Sequence, residues 1–251
     1  MQLLAEVEDS SQATAFRAQL VLLWSGPAIG AVLLAMFLAF PGFFPPMSPT
    51  MSADQVAQFY DEHRSWIRLS MVGFNLCGIM IVPFLLLVVA QMKRMTGQSH
   101  VFAYAYLACM VSGATLFALS NIYFGVAAFR PSRSPEVIQA LNDMAWLSFI
   151  APVGMIVGQF AMLACAVYFD RGPDPVFPRW VAHLSVATAL AMLPSVAATV
   201  FTTGPLAWDG FISFWVRNGA FAIFVFAMFF ALRDALYRQG VAEGLIEESA
   251  R

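Results

Sequence analysis

The chain has 251 residues, a net charge of −2, 60% hydrophobic residues and only 11% charged ones, with a mean hydropathy of +0.73. Soluble domains run at about 45–50% apolar and about 25% charged. The excess here lies in long blocks, the mark of a membrane protein, and the near-neutral charge excludes a nucleic-acid partner.

A polar, acidic segment with Glu6, Glu8 and Asp9 opens the chain, and residues 1–18 read as a cytoplasmic tail. The apolar run that follows, 19–40, is too long for the core of a signal peptide and no small-residue cleavage site follows it, so it reads as a retained first span. The next stretch, 41–66, begins PGFFPPMSP and is expected to be an extended external connection. Within it Ser52 and Gln55 have capping-box spacing. The helix they open carries Val56, Phe59, Tyr60, His63 and Trp66 on one stripe. That stripe suits either the membrane interface or packing on neighbouring spans.

Further apolar runs occur at 67–91, 101–127, 144–169, 180–203 and 211–232, each long enough to cross about 30 Å of hydrocarbon as a helix. A second external segment, 129–143, contains RPSRSPEV, with Ser134 as N-cap and Pro135 at the first helical position. It parallels the first: Gln55–Gly73 aligned on Glu136–Gly154 matches at Val56/Val137, Gln58/Gln139, Val72/Val153 and Gly73/Gly154. Pro27, Pro83, Pro152 and Pro194 fall within the runs and can kink them. Gly26/Gly30 and Gly154/Gly158 have the spacing of close helix contacts. Residues 239–251 read as a second tail. The expected fold is all-α, a polytopic membrane protein with six transmembrane helices in three up-down hairpins, its membrane domain covering 19–238.

Six spans place both termini on one side. That side carries Arg17, Lys93, Arg94, Arg171, Arg179, Arg233, Arg238 and Arg251, against Arg64, Arg68, Arg130, Arg133 and Arg217 on the other. The positive-inside rule then puts both termini in the cytoplasm of a bacterial inner-membrane protein.

Polar residues at membrane depth are the sign of a site. Arg217 lies inside the sixth run, and a guanidinium in hydrocarbon requires a partner or a wet cavity. Arg68 and Asn75 share a face of the second span, Asn121 and Tyr123 lie near the end of the third, and Asn142, Asp143 and Trp146 open the fourth. Asp209 precedes the sixth, with Ser213 and Asn218 just inside it. The expected ligand-binding set is Arg217, Asn218, Asp143, Asn75, Asn121, Arg68 and Trp146. Arg217 is expected to pair with Asp143 or Asp209. Such a cluster serves as a structural brace, as a site for an apolar molecule with a polar head, or as an interface with another subunit. The partners expected are membrane lipids or an apolar small molecule, with a larger membrane complex or a homo-oligomer as a further possibility.

As an enzyme, the chain would use Asp143 or Asp209 as a proton donor to a lipid or terpenoid-like substrate. His63, His100 and His183 are scattered, Cys77, Cys109 and Cys165 sit singly in apolar runs, and no metal or cofactor is expected. No acid occurs near mid-membrane, which argues against proton-coupled transport. Deep Gln159 is expected to form an interhelical hydrogen bond.

The strings AAFRPSRSPEVIQALNDMAW, VFPRW and GPLAWDGFISFW resemble those of small multi-span bacterial membrane proteins with no assigned activity. The resemblance runs over most of the chain from Met51 onward. It implies a multi-pass fold and supplies no catalytic residue.

Overall fold

The computed structural model describes residues 2–78, 81–97 and 100–246, with side chains from Ser11 onward. Arg251, one of the eight basic residues assigned above to the cytoplasmic side, lies outside them, as do the side chains of Glu6, Glu8 and Asp9. The described chain is helical, and six helical stretches are long and apolar enough to cross a membrane: Ser11–Ala39, Ala53–Met92, Val101–Phe129, Pro135–Phe169, Arg179–Thr199 and Phe211–Ala242. Lipid offers no partner to free backbone N–H and C=O groups, so a helix is the form in which such segments satisfy themselves. Side chains such as Val21, Leu38, Leu76, Ile223 and Phe226 stand exposed on the bundle surface, where a bilayer would cover them.

The helices are α1 (Gln2–Ala39), α2 (Ala53–Cys77), α3 (Val82–Met92), α4 (Val101–Phe129), α5 (Pro135–Ile150), α6 (Gly154–Phe169), α7 (Arg179–Met192) and α8 (Arg217–Ala242). A 3-10 turn at Leu193–Thr199 extends α7, and a π-helix at Phe211–Val216 leads into α8. Consecutive spans pack as three hairpins, α1 on α2 and α3, α4 on α5 and α6, α7 on α8. The end carrying residues 41–52, 130–134 and 200–210 is called distal below, and the end near both termini proximal.

Three of the four span prolines mark breaks. Pro83 opens α3 after the interruption at Gly78, Pro152 sits between α5 and α6, and Pro194 begins the 3-10 turn. Pro27 lies within an unbroken α1. At Gly78 a Cβ would meet the Phe74 carbonyl oxygen at 2.5 Å and the Phe117 ring at 2.7 Å, so a ring of α4 packs directly on the break. Of the two glycine pairs, Gly26 faces the Phe84 ring and Gly158 faces Cys109, whereas Gly30 and Gly154 have open space.

Residues 2–18 are helical and continuous with the first span. Three expectations are corrected. The external helices are not separate elements. The Ser52/Gln55 capping box forms, but the helix it opens runs unbroken to Cys77, and the helix after Ser134 runs to Ile150. At about 1.5 Å per residue, spans of this length exceed the hydrocarbon core, so their distal turns project past it. Val56 and Tyr60 of the aromatic stripe are buried, with Phe59 partly so, and only Trp66 is well exposed, so the stripe packs on neighbouring helices. The PGFFPPMSP segment is not extended. It turns tightly and inserts Phe43, 3% exposed, against Trp146, Phe149 and Phe214. The internal repeat does not carry through the structure either. Both helices start on a serine cap, yet Val56 is buried and Val137 exposed, and Gly73 is mid-helix against Met36 while Gly154 opens a new helix after a break.

The core is divided by depth. A proximal cluster is built mainly from α3, α6, α7 and α8, and a distal one from α1, α2, α4, α5 and the π-helix. The distal cluster is largely aromatic: Phe37, Phe40, Phe43, Phe74, Phe117, Phe124, Trp146, Phe149 and Phe214 form a continuous set of ring contacts. At the proximal end fully buried Gln91 donates to Gln19 and Gln239, and its carbonyl accepts from Arg94. That network ties α1, α3 and α8 and was not visible in the sequence. Gln159, deep in α6, donates to the Tyr106 hydroxyl on α4 at 2.9 Å, the interhelical bond expected of it.

Candidate functional site

Arg217 is the first α-helical residue after the π-helix and is 6% exposed. The widened π turn carries its side chain toward α5. Single π turns of this kind recur at functional positions. Its Nη2 donates to the carbonyl of Phe149 at 2.7 Å, and its Nη1 to Asn218 Oδ1 at 2.9 Å. The guanidinium carbon lies 4.9 Å from the centre of the Phe149 ring, a cation–π contact.

The break at Pro152 explains why that carbonyl is available. In a continuous helix the Phe149 carbonyl would accept from Val153, but the Val153 N–H bonds instead to Ala151 at 2.8 Å. Phe149 is thus one of the orphan carbonyls at a helix C-terminus. A cation there also meets the negative end of the α5 dipole. This arrangement replaces the expected ion pair: no salt bridge joins Arg217 to Asp143 or Asp209 among the described residues. Both acids are half-buried, Asp143 two turns into α5 and Asp209 in the turn before the π-helix. The physical reason is that a helix end supplies a fixed negative dipole at the depth of Arg217, whereas the carboxylates stand nearer the distal surface.

The arginine remains under-satisfied. Its Nε is buried without a hydrogen-bond partner, and the same holds for Asn218 Nδ2, Asn121 Nδ2 and Trp146 Nε1. All four are donors. They border one aromatic cluster: Arg217 lies on Phe149, Asn218 follows it, Trp146 lies 6.5 Å from Phe149 ring to ring, and Asn121 is one turn past Phe117, itself 5.9 Å from Phe149. An unmet buried donor costs about 1–3 kcal/mol. They are four donors without acceptors among the described residues, bordering one set of rings, and their chemistry suits carbonyl, carboxylate or phosphoryl oxygens on an otherwise apolar body.

The other expected residues fall elsewhere. Asn142 is buried, but its Oδ1 accepts from the Tyr60 hydroxyl at 3.1 Å, joining α5 to α2. Arg68 and Asn75 are exposed and do share a face, which opens on a groove between α2 and α4 rather than on the Phe149 rings. Asn75 donates back to the Met71 carbonyl of its own helix. The expected single cluster is therefore two: an inner one with Arg217, Asn218, Asn121 and Trp146, and an outer one with Arg68 and Asn75. Sequence reading missed Phe43 and Phe149, because a loop phenylalanine and a span phenylalanine carry no local sign of a shared site.

No family model, curated protein or solved structure matches this chain, so the likeness to small bacterial multi-span proteins gains no support from these comparisons. The class that the fold defines is an α-helical, multi-pass membrane protein.

Proposed function

We propose that this protein is an integral membrane binding or accessory subunit whose inner cluster of donors holds an apolar molecule by an oxygen-bearing head. We place it in a bacterial inner membrane with both termini cytoplasmic, on the eight-to-five bias of basic residues, which puts the Arg217 donors in the external half. The observation that carries the reading is the set of four buried, unpartnered donors around Phe149 and Trp146. An arginine fork with neighbouring amides suits a carboxylate, phosphate or keto group, and the rings suit a flat or branched apolar body.

The bond to the Phe149 carbonyl favours a second reading, in which Arg217 is a brace between α8 and the broken end of α5. The two readings differ at Asn218. Its Oδ1 supports Arg217, while its Nδ2 has no hydrogen-bond partner among the described residues. Native mass spectrometry of the protein released gently from its own membrane is the test. A bound molecule of fixed mass, lost in Arg217→Gln and in Asn121→Leu, supports the binding reading. Bare protein in every preparation leaves the brace.

A further inference from the structure

A second feature stands apart from the Arg217 cluster. Between α2 and α4 runs a surface groove of about 630 Å³, with Met71, Val72, Leu76, Ile122 and Val126 among its lining residues and Gly125 also bordering it. The two helices run antiparallel, so Arg68 of α2 stands level with Phe129 of α4 at the distal mouth, and Leu76 lies level with Ile122 deeper in. Eight residues of α2 make the trough about 12 Å long. Arg68 lines the mouth and Arg130 follows the lining residue Phe129 in the chain; both are exposed, and neither has a hydrogen bond or ion pair among the described residues. The nearby Asp61 carboxylate is already engaged by Arg64 at 2.8 Å.

Two free guanidinium groups at the rim of an apolar trough on a lipid-facing surface form a charge and shape pattern. Long basic side chains reach toward headgroup level while their stems cover apolar surface. Arginine holds a phosphate with paired N–H donors. The trough below the rim is apolar apart from the Asn75 amide, which is turned back on its own helix.

We infer that this groove is a seat for one anionic phospholipid of the distal leaflet, its phosphate on Arg68 with Arg130 beside it and one acyl chain along α2 and α4. The inference does not rest on the Arg217 cluster, and either can fail without the other.

The test uses the full chain in vesicles of equal phosphatidylglycerol and phosphatidylcholine, followed by native mass spectrometry of the lipid that stays bound. Wild type retains one phosphatidylglycerol per chain, favoured about tenfold over phosphatidylcholine. Arg68→Gln, an exposed change, brings the ratio near parity, and Arg68→Lys keeps most of it because the charge remains. Gly125→Leu fills the trough and lowers retention of both lipids. A Cβ there meets only the Met71 side chain at 3.8 Å, an ordinary contact, and an unchanged melting temperature of the variant checks that it folds. Equal retention of the two lipids by wild type, an unchanged ratio in Arg68→Gln, or full retention in Gly125→Leu each overturns the proposal.

Discussion

Asn121→Leu separates the binding reading from the brace reading. Asn121 is 3% exposed on α4, and its Nδ2 has no acceptor. Leucine has the same branched outline and number of side-chain heavy atoms, so the change deletes a desolvated donor while keeping the shape of the side chain, though its methyl groups are bulkier. Without a ligand, the wild-type chain carries the unmet cost of that N–H, about 1–3 kcal/mol, and the variant is relieved of it. For a chain of this size about 1 kcal/mol corresponds to about 2–4 °C in melting temperature. Ligand-stripped Asn121→Leu is therefore expected to melt about 2–12 °C above stripped wild type. With the ligand present the order reverses, because the variant has lost one bond to it. A neutral bond gives roughly a 2- to 10-fold loss of affinity, and a bond to a charged head more. The assay is paired thermal unfolding in detergent, before and after extensive delipidation, with bound-molecule occupancy read by mass spectrometry. If stripped Asn121→Leu melts below stripped wild type, Asn121 is satisfied within the protein and the unpaired-donor argument is refuted. If occupancy is unchanged, Asn121 does not touch the bound molecule.

Other changes probe the frame. Gln91→Leu removes the centre of the buried network with Gln19, Gln239 and Arg94, leaves three partners unmet, and is expected to destabilise the detergent-solubilised protein by about 2–4 kcal/mol in chemical unfolding. Gln159→Leu strands only the Tyr106 hydroxyl and should cost about 0.5–2 kcal/mol, the range for interhelical bonds in membranes, in the same assay. Gly78→Leu forces a side chain into the Phe74 carbonyl and Phe117 ring, so a loss of about 1–3 kcal/mol is expected, and an unperturbed melt would show that α2 and α4 do not approach as described. A cytoplasm-active reporter fused to the C-terminus should be active, and an inactive one in expressed protein inverts the topology.

Much of the frame was legible in the sequence because one force dominates it. Six apolar blocks specify six helices wherever hydrocarbon forbids open backbone groups, and the spans stop near where the blocks do, although the second and fourth begin well before them, at Ala53 and Pro135. Caps were legible for the same local reason: Ser52 and Gln55 meet through bonds three residues apart. Three of the four prolines, at 83, 152 and 194, also showed where continuity fails, while Pro27 did not. The polar residues of the inner cluster could be named in advance, since Arg217, Asn218, Asn121 and Trp146 are conspicuous in apolar surroundings.

What those residues do with one another was decided by tertiary structure. Nothing near Arg217 in the chain states that Phe149, 68 residues earlier, will lose its helical partner and offer a carbonyl. A charge-matching rule favours Asp143 and Asp209, and it fails because backbone dipoles are absent from the sequence alphabet. Arg68 and Asn75 share a helix face by periodicity, but which neighbour that face meets depends on how α4 packs against α2. Phe43 reads as part of a proline-rich loop until the turn folds it against Trp146. The sequence by itself determined the solvent, the helices and their breaks, because these follow from hydropathy and short-range bonds. The packing of six helices alone decided which donors are left unpaired and where, because that depends on contacts between residues far apart in the chain.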